Sequence, residues 1–294
     1  MKNPKTFGVW GNIEKDAFWN VLPKIINWAK DKNLELFLTE KIISDVRAKE
    51  FDQPVINSKE KISEMDFMLV LGGDGTFLSC ARAVENRSTP ILGIHLGDLG
   101  FLAKVTLENI FQRLDQVSNG LFTVEKRSMV KASILKNGTS LTQYGLNDFV
   151  VSNGESHRML IAEVYVDDNR VSEYKADGLI VATPTGSTAY SLSSGGPIIS
   201  PDVDSFVITP ISAHTLNSRP LVVSAKSRIK IQFSPYNENI LLITDGQLHE
   251  LLTPQDTVLI TDSDFEIGLI DFEDDDYFQT LRTKMGWGTR GGSN

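Results

Sequence analysis

The chain has 294 residues and a formal net charge of −9, with 41% hydrophobic and 23% charged residues. That is the profile of a folded two-domain protein rather than a disordered one, and the acidic balance, with no basic arm or Lys/Arg block, argues against nucleic acid as a partner. The start, MKNPKTFGVW, has no apolar stretch long enough for a signal peptide, and the longest apolar run, Phe67 to Leu71, is too short to span a membrane, so a cytoplasmic protein with no membrane partner is expected. A single cysteine, Cys80, rules out an internal disulfide and a multi-cysteine zinc site, and it reads as a small buried side chain.

The first third alternates strand-like and helix-like segments. Strands are predicted over 6–10, 34–38, 66–71 and 90–94. Apolar residues at helical spacing, Ile13, Ala17, Phe18, Val21, Ile25, Trp28 and Ala29, predict a helix over 13–31. Further helices are predicted over 77–84 and 107–117, the last closed by Asn119-Gly120. This alternation predicts an α/β domain with a parallel sheet over 1–120.

Beyond Gly120 the helical period fades. Strand-like stretches follow at 121–136, 146–152, 159–166, 170–175, 178–183, 206–209, 221–233, 239–244 and 257–270. Asn137-Gly138, Asp168-Asn169 and Asp245-Gly246 mark turns. The expectation is a mainly β, sandwich-like domain over 121–276, with a helix over 277–287 returning to the first domain. The acidic run 271–276 reads as a solvated loop rather than a metal site.

Two stretches carry chemistry. The predicted strand 66–71 ends in Gly72-Gly73-Asp74-Gly75-Thr76, directly before a helix. Glycines at such a junction let a ligand approach the main chain, and freed N–H groups at a helix start suit phosphate. The plainer alternative is a tight turn with Asp74 as an N-cap. Two common phosphate motifs are missing: the chain has no Gly-Lys dipeptide, hence no Walker A loop, and Gly8-Val9-Trp10-Gly11 does not fit the dinucleotide G-x-G-x-x-G pattern. The second stretch is KADGLIVATPTGSTAYSLSSGGPIIS, from Lys175 to Ser200. Its density of hydroxyls and exposed amides suits a ligand rich in oxygens, such as a nucleotide, or else serves local backbone bonding.

Taken in order, the Gly-Gly-Asp-Gly turn, the pair Asn147-Asp148 and the segment Asp177-Gly-Leu-Ile-Val-Ala-Thr-Pro-Thr-Gly-Ser-Thr-Ala-Tyr190 resemble the NAD kinase family. Weaker echoes are LGDLGFL (96–102), residues 208–222 and TDGQ (244–247). The resemblance implies transfer of the terminal phosphoryl of ATP, or of polyphosphate, to the 2′-hydroxyl of NAD's adenosine ribose. Asp74 is then the candidate base, and Gly72, Gly73, Gly75 and Thr76 form the phosphate loop. NAD would be bound by Gly75, Asn147, Asp148, Arg158, Lys175, Asp177, Thr188, Ala189, Tyr190, Ser193 and, as a more distant match, Gln247. The base would come from the α/β half and much of the substrate site from the β half, which implies a cleft between domains.

Magnesium is expected to arrive with the donor phosphates, since no His/Asp/Glu cluster has metal-ligand spacing. By the same resemblance a homodimer or homotetramer is expected. Two positions depart from the family: Asn-Asp replaces the usual Asn-Glu at 147–148, and His95 stands where many members have Asn. His95 reads as a strand-end side chain rather than a catalytic group. His157, His214 and His249 share no metal spacing and receive no chemistry, and Arg219 reads as structural or as a subunit contact. A lipid kinase sharing the first motif, or an inactive nucleotide sensor, would leave the long second segment or Asp74 without a role.

Overall fold

The structure is a computed structural model and describes residues 3–97, 99–136, 139–154, 159–215 and 217–287. The predicted Asn137-Gly138 turn, and Arg158 and His157, lie outside the described residues. The chain forms two units: one runs to Lys126 and resumes at Ile267, and the other is Arg127–Glu266.

The first unit contains β1 (Thr6–Gly11), α1 (Asp16–Asp31), β2 (Glu35–Thr39), α2 (Glu40–Ile43), β3 (Val55–Ile56), α3 (Lys59–Ile62), β4 (Phe67–Gly72), α4 (Asp74–Val84), β5 (Ile91–His95) and α5 (Ile110–Ser118). Its strands lie in the order β5-β4-β1-β2-β3, all parallel. All six residues of β4 are buried, as expected of a parallel strand covered on both faces. Phe67, Leu69 and Leu71 share one core with Phe7, Val9, Leu36 and Leu38 and with the apolar stripes of α1 and α5. Alternate residues point to the opposite face, where α4 packs on β4. Cys80 is fully buried in α4, and burial pushes its thiol far above the ordinary range.

Several elements differ from expectation. The strand β3 and the four-residue helices α2 and α3 are too short to show a period. The helix α4 begins at Asp74, inside the glycine turn, because two glycines next to its start hide it from a propensity reading. The helix α5 starts at Ile110, after a Thr106–Asn109 turn, and closes at Gly120, whose φ of 72° is left-handed.

The second unit is built on β6 (Thr123–Lys136), β7 (Thr139–Gly145), β8 (Asp148–Ser152), β9 (Leu160–Val166), β10 (Asn169–Ala176), β11 (Gly178–Ala182), α6 (Tyr190–Ser193), β12 (Ser205–Ile211), β13 (Leu221–Ser224), β14 (Ile229–Phe233), β15 (Ile240–Thr244), β16 (Leu248–Leu252) and β17 (Thr257–Asp271), with the start of β6 and the end of β17 belonging to the first unit. One antiparallel sheet has the order β13-β12-β11-β8-β15-β16. The other runs β10-β9-β14-β17. Phe149, Val151, Leu179, Val181, Phe206 and Leu242 from the first meet Ala162, Val164, Ile229, Ile231, Val258 and Ile260 from the second in one core. This is the sandwich-like layering expected.

The predicted strand 221–233 is interrupted, since Ala225–Arg228 turn between β13 and β14. The strands β7 and β16 were not predicted, because their outward polar residues break the apolar run. The turn joining β9 and β10 is Asp167-Asp168 rather than Asp168-Asn169; both aspartates have positive φ and Asn169 is already in the strand.

The final helix, α7 (Tyr277–Met285), belongs to the first unit, where Lys284 donates to the Leu99 carbonyl. The preceding acidic run is not a free solvated loop. Arg113 of α5 bonds Asp274 at 2.7 Å and Asp275 at 3.3 Å, and Lys104 bonds Asp271 at 3.3 Å.

Candidate active site

In the first unit, the Gly72–Thr76 turn lies at the C-terminal edge of the parallel sheet, the edge on which open α/β sheets bind ligands. Gly73 is the N-cap of α4, so Asp74 occupies the first helical turn and does not cap its own helix. Its carboxylate reaches instead across to the 99–103 segment. Oδ2 accepts the Phe101 N–H at 2.9 Å, and Oδ1 accepts those of Leu102 and Ala103, each at 3.1 Å. Only a glycine fits at position 100, because a Cβ there would lie 2.0 Å from Asp74 Oδ1. Among the described residues Oδ2 accepts one N–H and retains capacity for a second donor. Asp74 is half-buried, Gly75 is exposed, and the space above Gly73 is open.

His95 ends β5 opposite Gly72 in register, as a strand-end side chain. Its Nδ1 lies 2.6 Å from the Gly97 carbonyl, which makes Nδ1 the protonated nitrogen.

In the second unit, the Asn147-Asp148 pair and the 183–191 loop are built together. The Thr183 N–H donates to the Asn147 carbonyl at 2.9 Å, and the Thr183 hydroxyl donates to the Leu146 carbonyl at 2.6 Å. Gly186 packs so tightly on Asn147 that a Cβ would stand 2.0 Å from its carbonyl oxygen. The loop hydroxyls are mostly spent inside the protein. Ser187 donates to the Pro184 carbonyl and accepts from Ile199, Thr188 donates to Thr185, and Ser191 pairs with Thr209. These bonds fix the loop's own conformation.

A cavity of about 290 Å³ opens beside this loop, lined by Asn147, Asp148, Ala189 and Tyr190 together with Asp245, Gly246 and His249. Tyr190 is 47% exposed, so its ring is available to a ligand. Asp245, in the turn between β15 and β16, holds the cavity in shape. Its Oδ1 accepts the Asn147 and Asp148 N–H groups at 2.8 and 3.2 Å, and its Oδ2 accepts that of Leu146 at 3.2 Å.

Burial first, and the neighbouring Asp245 charge second, push the Asp148 carboxyl up from 3.8 to about 7. At neutral pH Asp148 is therefore partly protonated and can donate a hydrogen bond as well as accept one. The unfolded chain releases that proton near pH 3.8 and the folded chain near 7. Between those values the folded state holds more protons on this group, so the contribution of Asp148 to stability is fully present below about 4 and is lost as pH rises to about 7. Asp148→Asn is expected to flatten this slope in thermal denaturation curves taken from pH 5 to 8. Identical slopes in variant and parent would remove Asp148 as its source.

Other expected NAD contacts do not line this cavity. Lys175 pairs with Glu173 at 3.2 Å on β10. Asp177, Ser193 and Gln247 are exposed, and Thr188 is half-buried. Asp245 and His249 are additions. The TDGQ segment and its Asp-Gly turn were the available signal for Asp245, whereas His249, on a strand with outward polar residues, left none.

An α/β unit with a Gly-Gly-Asp-Gly turn, joined to a β unit with a carboxylate-bearing cavity, has the parts of a nucleotide phosphotransferase. Comparison with known proteins narrows this class. Residues 7–122 match the ATP-NAD kinase N-terminal domain and residues 146–272 the ATP-NAD kinase C-terminal domain. The chain is 40% identical over 282 residues to an NAD kinase of Thermoanaerobacter sp. (strain X514), covering 96% of this chain and 99% of that one. It is 37% identical to an NAD kinase of Teredinibacter turnerae over the full length of both. Among solved structures, an NAD kinase from Archaeoglobus fulgidus in complex with ATP is similar, with a TM-score of 0.75, 27% identity and coverage of 96% and 98%. The yeast NADH kinase complexed with NADH shares the fold, with a TM-score of 0.91 at 22% identity, covering 100% of this chain and 91% of that one. The chain belongs to the NAD kinase family and is a kinase that transfers phosphate to NAD.

Proposed function

We propose that Asp74 is the base of this reaction and that ATP is the donor whose terminal phosphoryl reaches the 2′-hydroxyl of NAD's adenosine ribose. The observation that carries this reading is the Asp74 carboxylate, fixed by three backbone N–H groups yet with room on Oδ2 for one more donor. A ribose hydroxyl placed there gives its proton to Oδ2 as its oxygen attacks the terminal phosphorus. One O–P bond forms, the bond to the departing ADP oxygen breaks, and NADP results. A positioned base of this kind contributes about 10²- to 10⁴-fold. The ATP complex of the Archaeoglobus fulgidus relative supports ATP as donor.

Asn147, Asp148, Ala189 and Tyr190 are assigned to NAD, with Asp245 as the residue that positions the pair. Arg158, Lys175, Asp177, Thr188, Ser193 and Gln247 remain assigned through the family resemblance alone. Among the described residues no group of three or more His, Cys, Asp or Glu side chains could hold a metal ion. The divalent metal is proposed to come with the donor phosphates. No described helix is long and apolar enough to cross a membrane, and a homodimer or homotetramer is part of the same proposal.

The test mixes pure protein with ATP, magnesium and NAD and couples product to an NADP-specific dehydrogenase. Steady NADP formation is expected. Phosphorylated diacylglycerol in a parallel reaction, with no NADP from NAD, would overturn the assignment in favour of a lipid kinase.

A further inference from the structure

The turn that holds the Asp74 carboxylate is itself fixed unevenly. The Gly100 N–H donates to the Ala103 carbonyl at 3.3 Å, which closes the turn while the N–H groups of Phe101, Leu102 and Ala103 face Asp74. Its return side is tied to the sheet. The Ala103 Cα passes so close to β5 that a Cβ on Gly93 would stand 2.8 Å from it. The Val105 carbonyl accepts the His95 N–H at 2.9 Å, and the Val105 N–H donates to the Gly93 carbonyl at 3.3 Å. Between them Lys104 pairs with Asp271 at 3.3 Å. The outgoing side lacks such support. Among the described residues, the only group outside the turn and Asp74 that hydrogen-bonds Leu99, Gly100 or Phe101 is Lys284 of α7.

Lys284 makes two contacts there. Its ammonium donates to the Leu99 carbonyl and lies 5.5 Å from the centre of the Phe101 ring, within cation–π range. It has no carboxylate partner among the described residues, so its charge is committed to this turn. The helix that carries it is fixed by other contacts. Arg113 holds Asp274 and Asp275 just before it, and the Asp276 carboxylate caps it by accepting the Phe278 N–H at 2.8 Å. Leu281, only 4% exposed, anchors its middle. Gly286, with a φ of 65°, ends it and lets the Trp287 N–H return to the Arg282 carbonyl at 3.0 Å. The helix is therefore a fixed post, and Lys284 reaches from its last turn to the loose side of the 99–103 segment.

We propose that Lys284 is a positioning residue for phosphoryl transfer. By holding the Leu99 carbonyl and the Phe101 ring, it fixes the side of the turn that meets Oδ2 of Asp74. Oδ2 takes its bond from the Phe101 N–H, at 2.9 Å, and is the oxygen assigned to the ribose proton. Movement of Phe101 therefore acts on the reacting oxygen itself, and a shift of about 1 Å at such a group can cost about 10²-fold in rate. The inference rests on the reading of Asp74 as base and extends the working site to the C-terminal helix.

The experiment compares the parent with Lys284→Met, which keeps an unbranched stem without donor or charge, and with Lys284→Arg, which keeps both. Lys284 is exposed and Leu281 stays buried, so both variants should fold. Turnover at saturating NAD and ATP should fall about 5- to 100-fold in Lys284→Met and recover to within about threefold of the parent in Lys284→Arg. Amide exchange, followed by NMR on the substrate-free protein, should speed at least about fivefold at Phe101 in Lys284→Met and stay unchanged at Val105. Unchanged turnover in Lys284→Met, equal loss in both variants, or lost turnover with unaltered exchange at Phe101 would each overturn the proposal. Asp74→Asn is assayed in parallel. Full turnover there marks failure of the base reading, whereas full turnover confined to Lys284→Met marks failure of this one.

Discussion

Asp74→Asn is expected to lower turnover of NAD by about 10²- to 10⁴-fold while NAD binding stays intact. The amide keeps the size of the side chain but cannot take up the ribose proton. The residues assigned to NAD are not those whose backbone the Asp74 carboxylate bonds. A second effect follows from the three bonds to 101–103. In the variant an NH₂ group must face a backbone N–H, which leaves a donor unsatisfied and costs about 1–3 kcal/mol of stability. Steady-state kinetics, NAD calorimetry and urea denaturation read the three quantities separately. Equal loss of turnover and NAD affinity would make Asp74 a positioning residue for the ligand. Full turnover with lowered stability would leave it only the anchoring of the 99–103 segment.

The next largest effect is expected at Asp245. Asp245→Ala strips the acceptor from the N–H groups of Leu146, Asn147 and Asp148, of which Leu146 and Asp148 are buried residues. At about 1–3 kcal/mol for each unsatisfied buried donor, stability should fall by several kcal/mol. The Asn147-Asp148 turn should lose its fixed geometry, and NAD affinity should fall at least about tenfold. Asp245→Asn separates geometry from charge. It keeps one acceptor oxygen for the Asn147 and Asp148 N–H groups, so NAD affinity should largely recover, while the NH₂ group facing the buried Leu146 N–H leaves a stability loss of about 1–3 kcal/mol. Removal of the charge beside Asp148 should still move that carboxyl's titration downward from about 7. NMR titration of the side-chain carboxyl carbons reads the shift. An Asp245→Ala protein that binds NAD as the parent does would remove the positioning role.

Much of the architecture was legible because the core strands are nearly pure apolar runs. FMLVLG, closed by glycines, reads as a covered strand, and α1 shows its buried stripe from Phe18 to Ala29. The short elements β3, α2 and α3 were not, since two to four residues cannot display a period. The site was legible as motifs and less so as contacts. Gly-Gly-Asp-Gly located the phosphate turn, but nothing in those residues showed that Asp74 would gather three N–H groups from the 101–103 backbone. The hydroxyl-rich segment pointed to ligand contacts, and in the fold Thr183, Ser187 and Ser191 are fully buried and bonded within the protein. Asp245 looked like a turn residue, which it is, with a φ of 50°. Its bonds to residues about a hundred positions away depend on β8 and β15 being neighbours, a pairing that periodicity does not encode.

Phosphorus NMR of the product formed from NAD and ATP tests the central claim most directly. The expected spectrum shows one new phosphomonoester on the adenosine ribose 2′-oxygen, in equal amount to the ADP released, and none with Asp74→Asn over the same time. ADP and inorganic phosphate with unmodified NAD, or a phosphoryl group on another hydroxyl of the dinucleotide, would contradict it.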